Sequence, residues 1–476
     1  MQAEQQRRIA VFTPLPPTKS GVAHYSSLIV PALGATAFDS LDGYRRDEFD
    51  EVIYQLGNNP HHELMYAQAM KEPGVVVLHD LVLHHLIVEL TLARGDVDAY
   101  VAALEANHGP AGAAWARGRA AGLHSEMGNF LMPASVEIAQ RAKSVIVHNR
   151  YARERLLSFG VTTPITVVPH PYVRETRTFD REALRARHGF TRDSRVIGFF
   201  GFLTSAKRAE VVLETFRAAR EKDQRLALLI VGEPAPNIDL GALQGEGIVM
   251  TGYVADEEFA AYYAIADRLV NLRYPSAGET SGTLIRAFDA AKPVAVSDYA
   301  QFAEFPDDCV FKLPFANERE RLLEFFTTDL PDASSAQRAW LEENATLEKT
   351  VSGYREAMEC GDASHRFDSG VNAATGVAAL QMFPQLSLVE VAPSAITLKN
   401  NGTSTIRTRT YGQPEYRLIA QVVRDGQVVD DRWLAVPADV RPGESVTIDY
   451  TPRAEGTLRL FHALQDVPLV EVVDVR

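Results

Sequence analysis

The stretch Tyr274–Ala287 (YPSAGETSGTLIRA) holds the densest chemistry in this sequence. An apolar run ends at Pro275, a loop of small residues carries one carboxylate, Glu279, and a helix is expected to open with Thr280, Ser281, Gly282 and Thr283. The free N–H groups of a helix opening, at the positive end of its dipole, attract anions. A carboxylate beside such an anion hole repels a bare phosphate. It suits a phosphorylated sugar, whose hydroxyls donate to Glu279 while the phosphate takes the N–H groups. The plainer use of Thr280 or Ser281 is to cap the helix. A second corner of the same kind is Gly201–Arg208 (GFLTSAKR), where Lys207 and Arg208 stand between a strand end and a helix start. Two cations there can hold a diphosphate; an ordinary solvated helix start is the alternative.

The first half of the chain offers hydroxyl-reading groups rather than cations. In Thr13–Tyr25 (TPLPPTKSGVAHY), Ser20 is placed to cap a helix, and Gly21 lets a ligand approach its opening, with His24 and Tyr25 just inside. This is not the G-x-G-x-x-G dinucleotide fingerprint. Gln55–His62 (QLGNNPHH) and Leu78-His79-Asp80 each follow an apolar run. Ligands of open α/β sheets sit outside the carboxyl ends of the strands, so Asn58, His61, His62, His79 and Asp80 are expected to converge there. Imidazole and carboxylate also bind zinc, but the spacing matches no HExxH-like pattern, and no metal site is expected. For any single histidine here, a hydrogen-bonded structural role is the alternative.

These groups need a scaffold, and the apolar pattern supplies one. Ile9–Phe12, Val52–Gln55, Val75–Leu78, Ser144–Val147 and Thr166–Val168 read as short buried strands, with helical stretches such as Ser20–Leu33 and His62–Met70 between them. The pattern restarts with the strands Arg195–Phe200, Arg225–Val231, Ile248–Thr251, Arg268–Leu272 and Pro293–Val296. Alternation of strand and helix, repeated, predicts two Rossmann-like α/β domains, 1–172 and 173–360, facing a cleft. Ser335–Cys360 is expected to close the second domain as one or two helices. Residues 361–375, rich in Gly, Ala, Ser and Asp, read as a linker. From 376 to 476, short β-branched or alternating runs are separated by turn signals such as Asn401-Gly402 and Asp425-Gly426. They predict an immunoglobulin-like β-sandwich. Tyr411, Tyr416 and Trp433 are the aromatic candidates for a glycan contact there, with core packing as the alternative.

Composition bounds the function. At 476 residues the chain fits about three domains. A hydrophobic share of 46% and a charged share of 23% exclude disordered and collagen-like classes. A net charge of -14 opposes a nucleic-acid binder, which needs a basic face, so no nucleic-acid partner is expected. Cys309 and Cys360 lack metal or CxxC spacing and are expected as free thiols in a reducing compartment. No window reaches the ~18 apolar residues of a membrane span, and Pro14, Pro16 and Pro17 interrupt the first apolar run before it could serve as a signal peptide.

In order along roughly the first 360 residues stand PLPPTKSGVAHYS, YQLGNNPHH, VVVLHD, VIVHNRYARERL, GFLTSAKR, LLIVGE, TGYVADEEFAAYYAIAD and RYPSAGETSGTLIRAFDAAKPVAVSD. Each is weak alone; the ordered set resembles the retaining glycosyltransferases of family 4, which have the GT-B fold. The resemblance implies that Gly21 lies near the donor phosphates, that His79 contacts the donor sugar, and that Lys207 holds the diphosphate. It further implies that Gly232, Glu233, Tyr253 and Val254 surround the nucleotide base, and that Glu279 is the first glutamate of the family's E-x7-E motif. Two positions depart from the pattern. The arginine usual before the phosphate-binding lysine is Phe202, and the second glutamate is replaced by Ala287, beside Arg286.

What the resemblance implies is transfer of a sugar from a nucleotide-diphosphate sugar to a glycan or lipid-linked acceptor, with no cofactor and no metal. Lys207, Arg208 and the helix opening at Thr280–Gly282 would stabilise the departing diphosphate. The sequence offers no convincing carboxylate nucleophile in the first domain, which fits a front-face scheme in which the leaving phosphate helps to deprotonate the acceptor. A cytoplasmic protein is expected, with peripheral contact at the inner membrane face and oligomer contacts through the sandwich. The alternatives are another GT-B enzyme, an epimerase or phosphorylase, and a non-catalytic glycan-binding scaffold.

Overall fold

The architecture is that of a computed structural model describing residues 7–18, 20–122, 126–235, 241, 243–360, 386–400, 409–410, 413–414, 417–425, 427–441, 443–462 and 467–475. Six strands form the first sheet: β1 (Ile9–Phe12), β2 (Thr36–Phe38), β3 (Glu51–Leu56), β4 (Val75–Leu78), β5 (Ser144–Val147) and β6 (Ile165–Val167). They are all parallel, in the order β2-β1-β3-β4-β5-β6. The second sheet comprises β7 (Arg195–Phe200), β8 (Leu226–Val231), β9 (Ile248–Met250), β10 (Arg268–Asn271), β11 (Val294–Ser297) and β12 (Phe311–Leu313). It is parallel too, in the order β12-β11-β10-β7-β8-β9. Nearly every residue of β1, β3, β4, β5, β7, β8, β10 and β11 is buried, as parallel strands covered by helices on both faces must be. The edge strands β2 and β12, three residues each, carry too little pattern to be read from sequence.

Strand order locates the crevices. It reverses at β1/β3 in the first sheet and at β7/β10 in the second, and such switch points open a crevice at the carboxyl ends of the strands. The loops after β7 and β10 carry Lys207 and Glu279, and those after β1, β3 and β4 carry Gly21, Asn58 and Asp80.

The closing helix Leu347–Glu359 packs on the first sheet rather than on the second, beside which it stands in sequence. Val351, Tyr354, Ala357 and Met358 share a hydrophobic cluster with Ile9, Val11, Ile53 and Val75. Thr350 Oγ1 donates to the Pro169 carbonyl (3.1 Å) and Ser144 Oγ to that of Ala357 (2.6 Å).

The C-terminal region forms antiparallel sheets. One has three strands, Leu386–Ala392, Ala395–Asn400 and Ser445–Asp449; another has four, Gln427–Ala435, Arg417–Arg424, Gly456–His462 and Val467–Val475. Leu386, Ile396, Leu398 and Ile448 of the first meet Leu418, Val422, Leu434 and Leu460 of the second in one cluster. Arg424 pairs with Gln427 across the expected turn, with Asp425 at φ 53°. Trp433 is 52% exposed. The expected linker 361–375, Tyr411 and Tyr416 lie outside the described residues. Among the described residues, no helix is long and apolar enough to cross a membrane.

Candidate functional site

Three charged side chains of the second unit meet at its switch point. Arg273, one residue past the end of β10 and its following Leu272, donates through Nε to Glu279 Oε1 (2.5 Å) and through Nη1 to the Leu272 carbonyl (3.2 Å). Lys207 ends a short 3-10 turn after β7, and its buried Nζ donates to the Phe200 carbonyl. Burial, then the nearby Arg273, push the Lys207 ammonium well below its ordinary range, while Glu279 opposes them. Gly201 is needed here: its φ is +91°, and a Cβ would sit 2.5 Å from Lys207 Nζ. Arg273 stands inside the RYPSAGETSG motif, but its role escaped the sequence reading; its place directly after a buried strand was the available signal.

The Glu279 loop is braced from behind. Ser276 Oγ lies 3.4 Å from Glu279 Oε2 and donates to Gln301 Oε1 (2.7 Å), and Gln301 Nε2 donates to the Glu279 carbonyl (2.8 Å). The helix opens later than expected, at Gly282. Ser281 is its N-cap, accepting from Leu284 N–H (3.3 Å), because its hydroxyl satisfies an otherwise unpaired donor. Thr280 therefore precedes the cap, and its N–H is not one of the helix-opening donors. Ser281 and Thr283 both donate to Asn271 Oδ1 at 3.2 Å. A Cβ on Gly282 would meet nothing within 4 Å, and the same holds for Gly21, the first residue of the helix Gly21–Leu33 capped by Ser20. Both helix openings are thus uncovered.

The two units touch where loop 80–82 lies against loop 277–279. Val82 N–H donates to the Ala277 carbonyl (3.1 Å), and a Cβ on Gly278 would lie 2.7 Å from Leu81 Cβ. Asn149 Nδ2 donates to the Gly278 carbonyl (2.9 Å), and Glu304 accepts from the N–H groups of Arg150 (3.0 Å) and Tyr151 (2.5 Å) at the opening of the helix Arg150–Ser158. Gly278, at φ +74°, has no room for a side chain. Gly278→Val is expected to separate the units: small-angle scattering should give a larger radius of gyration, and an unchanged profile would show that the loop yields instead.

Asp80 is half-buried and accepts from Asn58 N–H through Oδ2 (2.8 Å), while Asn58 Oδ1 accepts from Leu86 N–H (3.1 Å). Burial, and then Glu279, push the Asp80 carboxyl up to about 7, against the Asn58 N–H and Arg273, which favour its charge.

The histidines are engaged inside the first unit. His148 Nδ1 lies 2.8 Å from the Val168 carbonyl, which only accepts, so Nδ1 carries the proton. His148 Nε2 then accepts from His79 Nδ1 (3.1 Å), and His79 Nε2 faces the Gln55 amide (2.6 Å). Gln55 in turn meets the hydroxyl of Tyr354 (3.0 Å), itself 2.9 Å from that of Tyr25. Burial pushes His79 well below its ordinary range and His148 to about 4, so the relay is neutral. Gln55 turns Oε1 toward His79 Nε2 and Nε2 toward Tyr354; a neutral His79 that donates from Nδ1 must accept at Nε2, which assigns the amide the opposite way round.

The remaining expected site residues are placed as follows. His79, expected to contact a donor sugar, has both ring nitrogens occupied within the protein. Tyr25 is fully buried, its ring edge-on to His79 at 4.7 Å, and does not reach the cleft. His62, also fully buried, is fixed through Nδ1 to the Gln55 carbonyl (2.9 Å), and burial pushes it to about 4. Arg208 donates through Nη2 to Glu318 (2.9 Å) and lies over the rings of Tyr274 and Phe315. That pair is buried, at 5% and 1% side-chain exposure. His24 and His61 are exposed. Gly232 packs its backbone on Gly201, where a Cβ would fall 2.4 Å from the carbonyl oxygen, and Glu233 and Tyr253 are exposed beside it while Val254 packs on the core. Among the described residues, no group of three or more His, Cys, Asp or Glu side chains is arranged to hold a metal.

Residues 194–322 match the family model described as glycosyl transferases group 1, which takes in β7 to β12 with Lys207, Arg273 and Glu279. No curated protein matches the chain. Among solved structures, a glycosyltransferase of Rickettsia africae is similar at 14% identity and a TM-score of 0.45, over 75% of this chain and 100% of its own. HepE of Anabaena, solved with UDP and glucose, is similar at 14% identity and a TM-score of 0.43, over 79% of this chain and 100% of its own. TarM of S. aureus gives 14% identity and a TM-score of 0.39 over 47% of this chain, which spans 45% of TarM.

Proposed function

We propose that this protein is a retaining glycosyltransferase of GT-B architecture, related to family 4, that moves a sugar from a nucleotide-diphosphate sugar to a glycan or lipid-linked acceptor without a metal. The observation that carries the reading is the meeting of Lys207, Arg273 and Glu279 at the switch point of a segment that matches glycosyl transferases group 1. When the glycosidic bond breaks, negative charge grows on the diphosphate. Lys207, Arg273 and the N–H groups at Gly282 are the donors offered to that charge. Glu279 accepts from sugar hydroxyls. The reading places the enzyme in the cytoplasm, peripheral to the membrane where its acceptor is lipid-linked. Its C-terminal sheets, read as an immunoglobulin-like sandwich, serve acceptor docking or assembly.

Thermal shift of the full chain tests the reading. UDP, GDP or ADP at millimolar concentration is expected to stabilise the protein by about 2.7 kcal/mol where the concentration is about 100 times Kd. The shift should survive EDTA. If none of the three nucleotides moves the midpoint, the donor site is not where Lys207 and Glu279 place it.

A further inference from the structure

Asn271 ends β10 at the switch point of the second unit and is 6% exposed. Its Oδ1 lies 3.2 Å from both Ser281 Oγ and Thr283 Oγ1, and those two hydroxyls are 2.7 Å apart. Three contacts then share two hydroxyl protons, so one contact has none. Asn271 Nδ2, which carries two protons, is buried and has no acceptor among the described residues. A buried amide nitrogen without an acceptor is costly, and a half-turn of the side chain exchanges its nitrogen and oxygen.

The half-turn puts Nδ2 against the two hydroxyl oxygens and gives every proton a place. Ser281 Oγ accepts from Nδ2 and, as the helix cap, from Leu284 N–H at 3.3 Å. Its two lone pairs are filled, so its own proton goes to Thr283 Oγ1. Thr283 Oγ1 accepts that proton and another from Nδ2, and is filled in turn. The Thr283 proton has no acceptor left within the cluster and points away from it. One buried acceptor, Oδ1, stands where two donors were stranded. Thr283 is half-buried in the Lys207 corner: a Cβ on Gly201 would lie 3.5 Å from Thr283 Cγ2 and 2.5 Å from Lys207 Nζ. The helix opening next to it, at Gly282, is uncovered.

We propose that Asn271 is a positioning residue of the donor site: its amide nitrogen makes the Thr283 hydroxyl a donor only, which binds a phosphate oxygen of the nucleotide sugar beside Lys207. The inference deepens the glycosyl-transfer reading given above and rests on it. The diphosphate of a nucleotide sugar carries no proton at neutral pH, so it only accepts hydrogen bonds. A hydroxyl free to accept would take water or a sugar hydroxyl as well; one locked as a donor favours the anion. The contact strengthens as charge moves onto the departing diphosphate. It makes and breaks no covalent bond, so it leaves the stereochemistry of transfer untouched.

The test measures Kd on the full chain for UDP, GDP and ADP, and for uridine, guanosine and adenosine. Thr283→Val keeps the shape of the side chain and removes the hydroxyl. For the nucleotide that binds, it is expected to raise Kd about 10-fold or more, while the matching nucleoside binds as before. Thr283→Ser should bring Kd back to within about 3-fold of the wild type. Asn271→Asp presents acceptors only, so it draws the Thr283 proton inward and adds a negative charge. Its cost in diphosphate affinity should be larger in the wild type than in Thr283→Val, where that proton is already gone. A Thr283→Val Kd within about 3-fold of the wild type, or an equal loss for the nucleoside, overturns the assignment. So does strict additivity of the two substitutions. Should Asn271→Asp unfold, the Thr283 variants decide alone. If the wild type binds none of the three nucleotides, the glycosyl-transfer reading itself fails, a different result from binding indifferent to Thr283.

Discussion

Glu279→Ala and Lys207→Ala should each lower transfer by about 10²–10³-fold, roughly 2.7–4 kcal/mol of barrier, while both variants keep the fold. The expected size follows from where the two groups stand. Glu279 is the partner of Arg273 at 2.5 Å and favours the charge on Lys207, so its loss frees two cations that repel each other and withdraws the acceptor of the sugar hydroxyls. Lys207 is buried against the Phe200 carbonyl, where a charge meets little screening and counts for more than on the surface. Release of the nucleoside diphosphate, followed with saturating donor, measures both. Near-normal turnover in the two variants would remove the reacting bond from this corner.

Glu318→Ala should destabilise the protein by about 3–5 kcal/mol in urea denaturation, because it strands the buried guanidinium of Arg208. Changing both partners to apolar residues should cost far less, since no charge is then left unpaired. The pH dependence has a definite sign. Burial pushes the Glu318 carboxyl up to about 7, with Arg208 opposing, so the folded state holds a proton that the unfolded chain has released. That contribution to stability is full below the ordinary glutamate range and is lost as pH rises toward about 7. A Glu318→Gln variant should show a flatter curve over that window. If Glu318→Ala unfolds at the wild-type urea concentration, the pair is not the brace of the loop that carries Lys207.

Part of the site was legible because its residues are close in sequence. The GETSG loop, the Ser20 and Ser281 caps and the cationic corner at Lys207 are local patterns, and local hydrogen bonding realises them. The surroundings of Arg208 were not legible in the sequence: its partner Glu318 lies 110 residues away, with the rings of Tyr274 and Phe315 beside it. Those of His79 and Tyr25 were hidden alike, since Tyr354, 299 residues from Gln55, closes the network that buries them.

The sequence by itself determined the two parallel sheets, since continuous β-branched runs between helical stretches can be buried only with helices on both faces. It also determined the antiparallel C-terminal sheets, through alternation of apolar residues and the Asp425 hairpin. Tertiary structure alone decided which strand-end groups face the cleft. Strand order set the switch points at β1/β3 and β7/β10, and the Val82–Ala277 hydrogen bond set loop 80–82 against loop 277–279. The physical reason is that a strand pattern encodes which residues are buried, whereas the opposition of two loops 199 residues apart depends on how the two units pack.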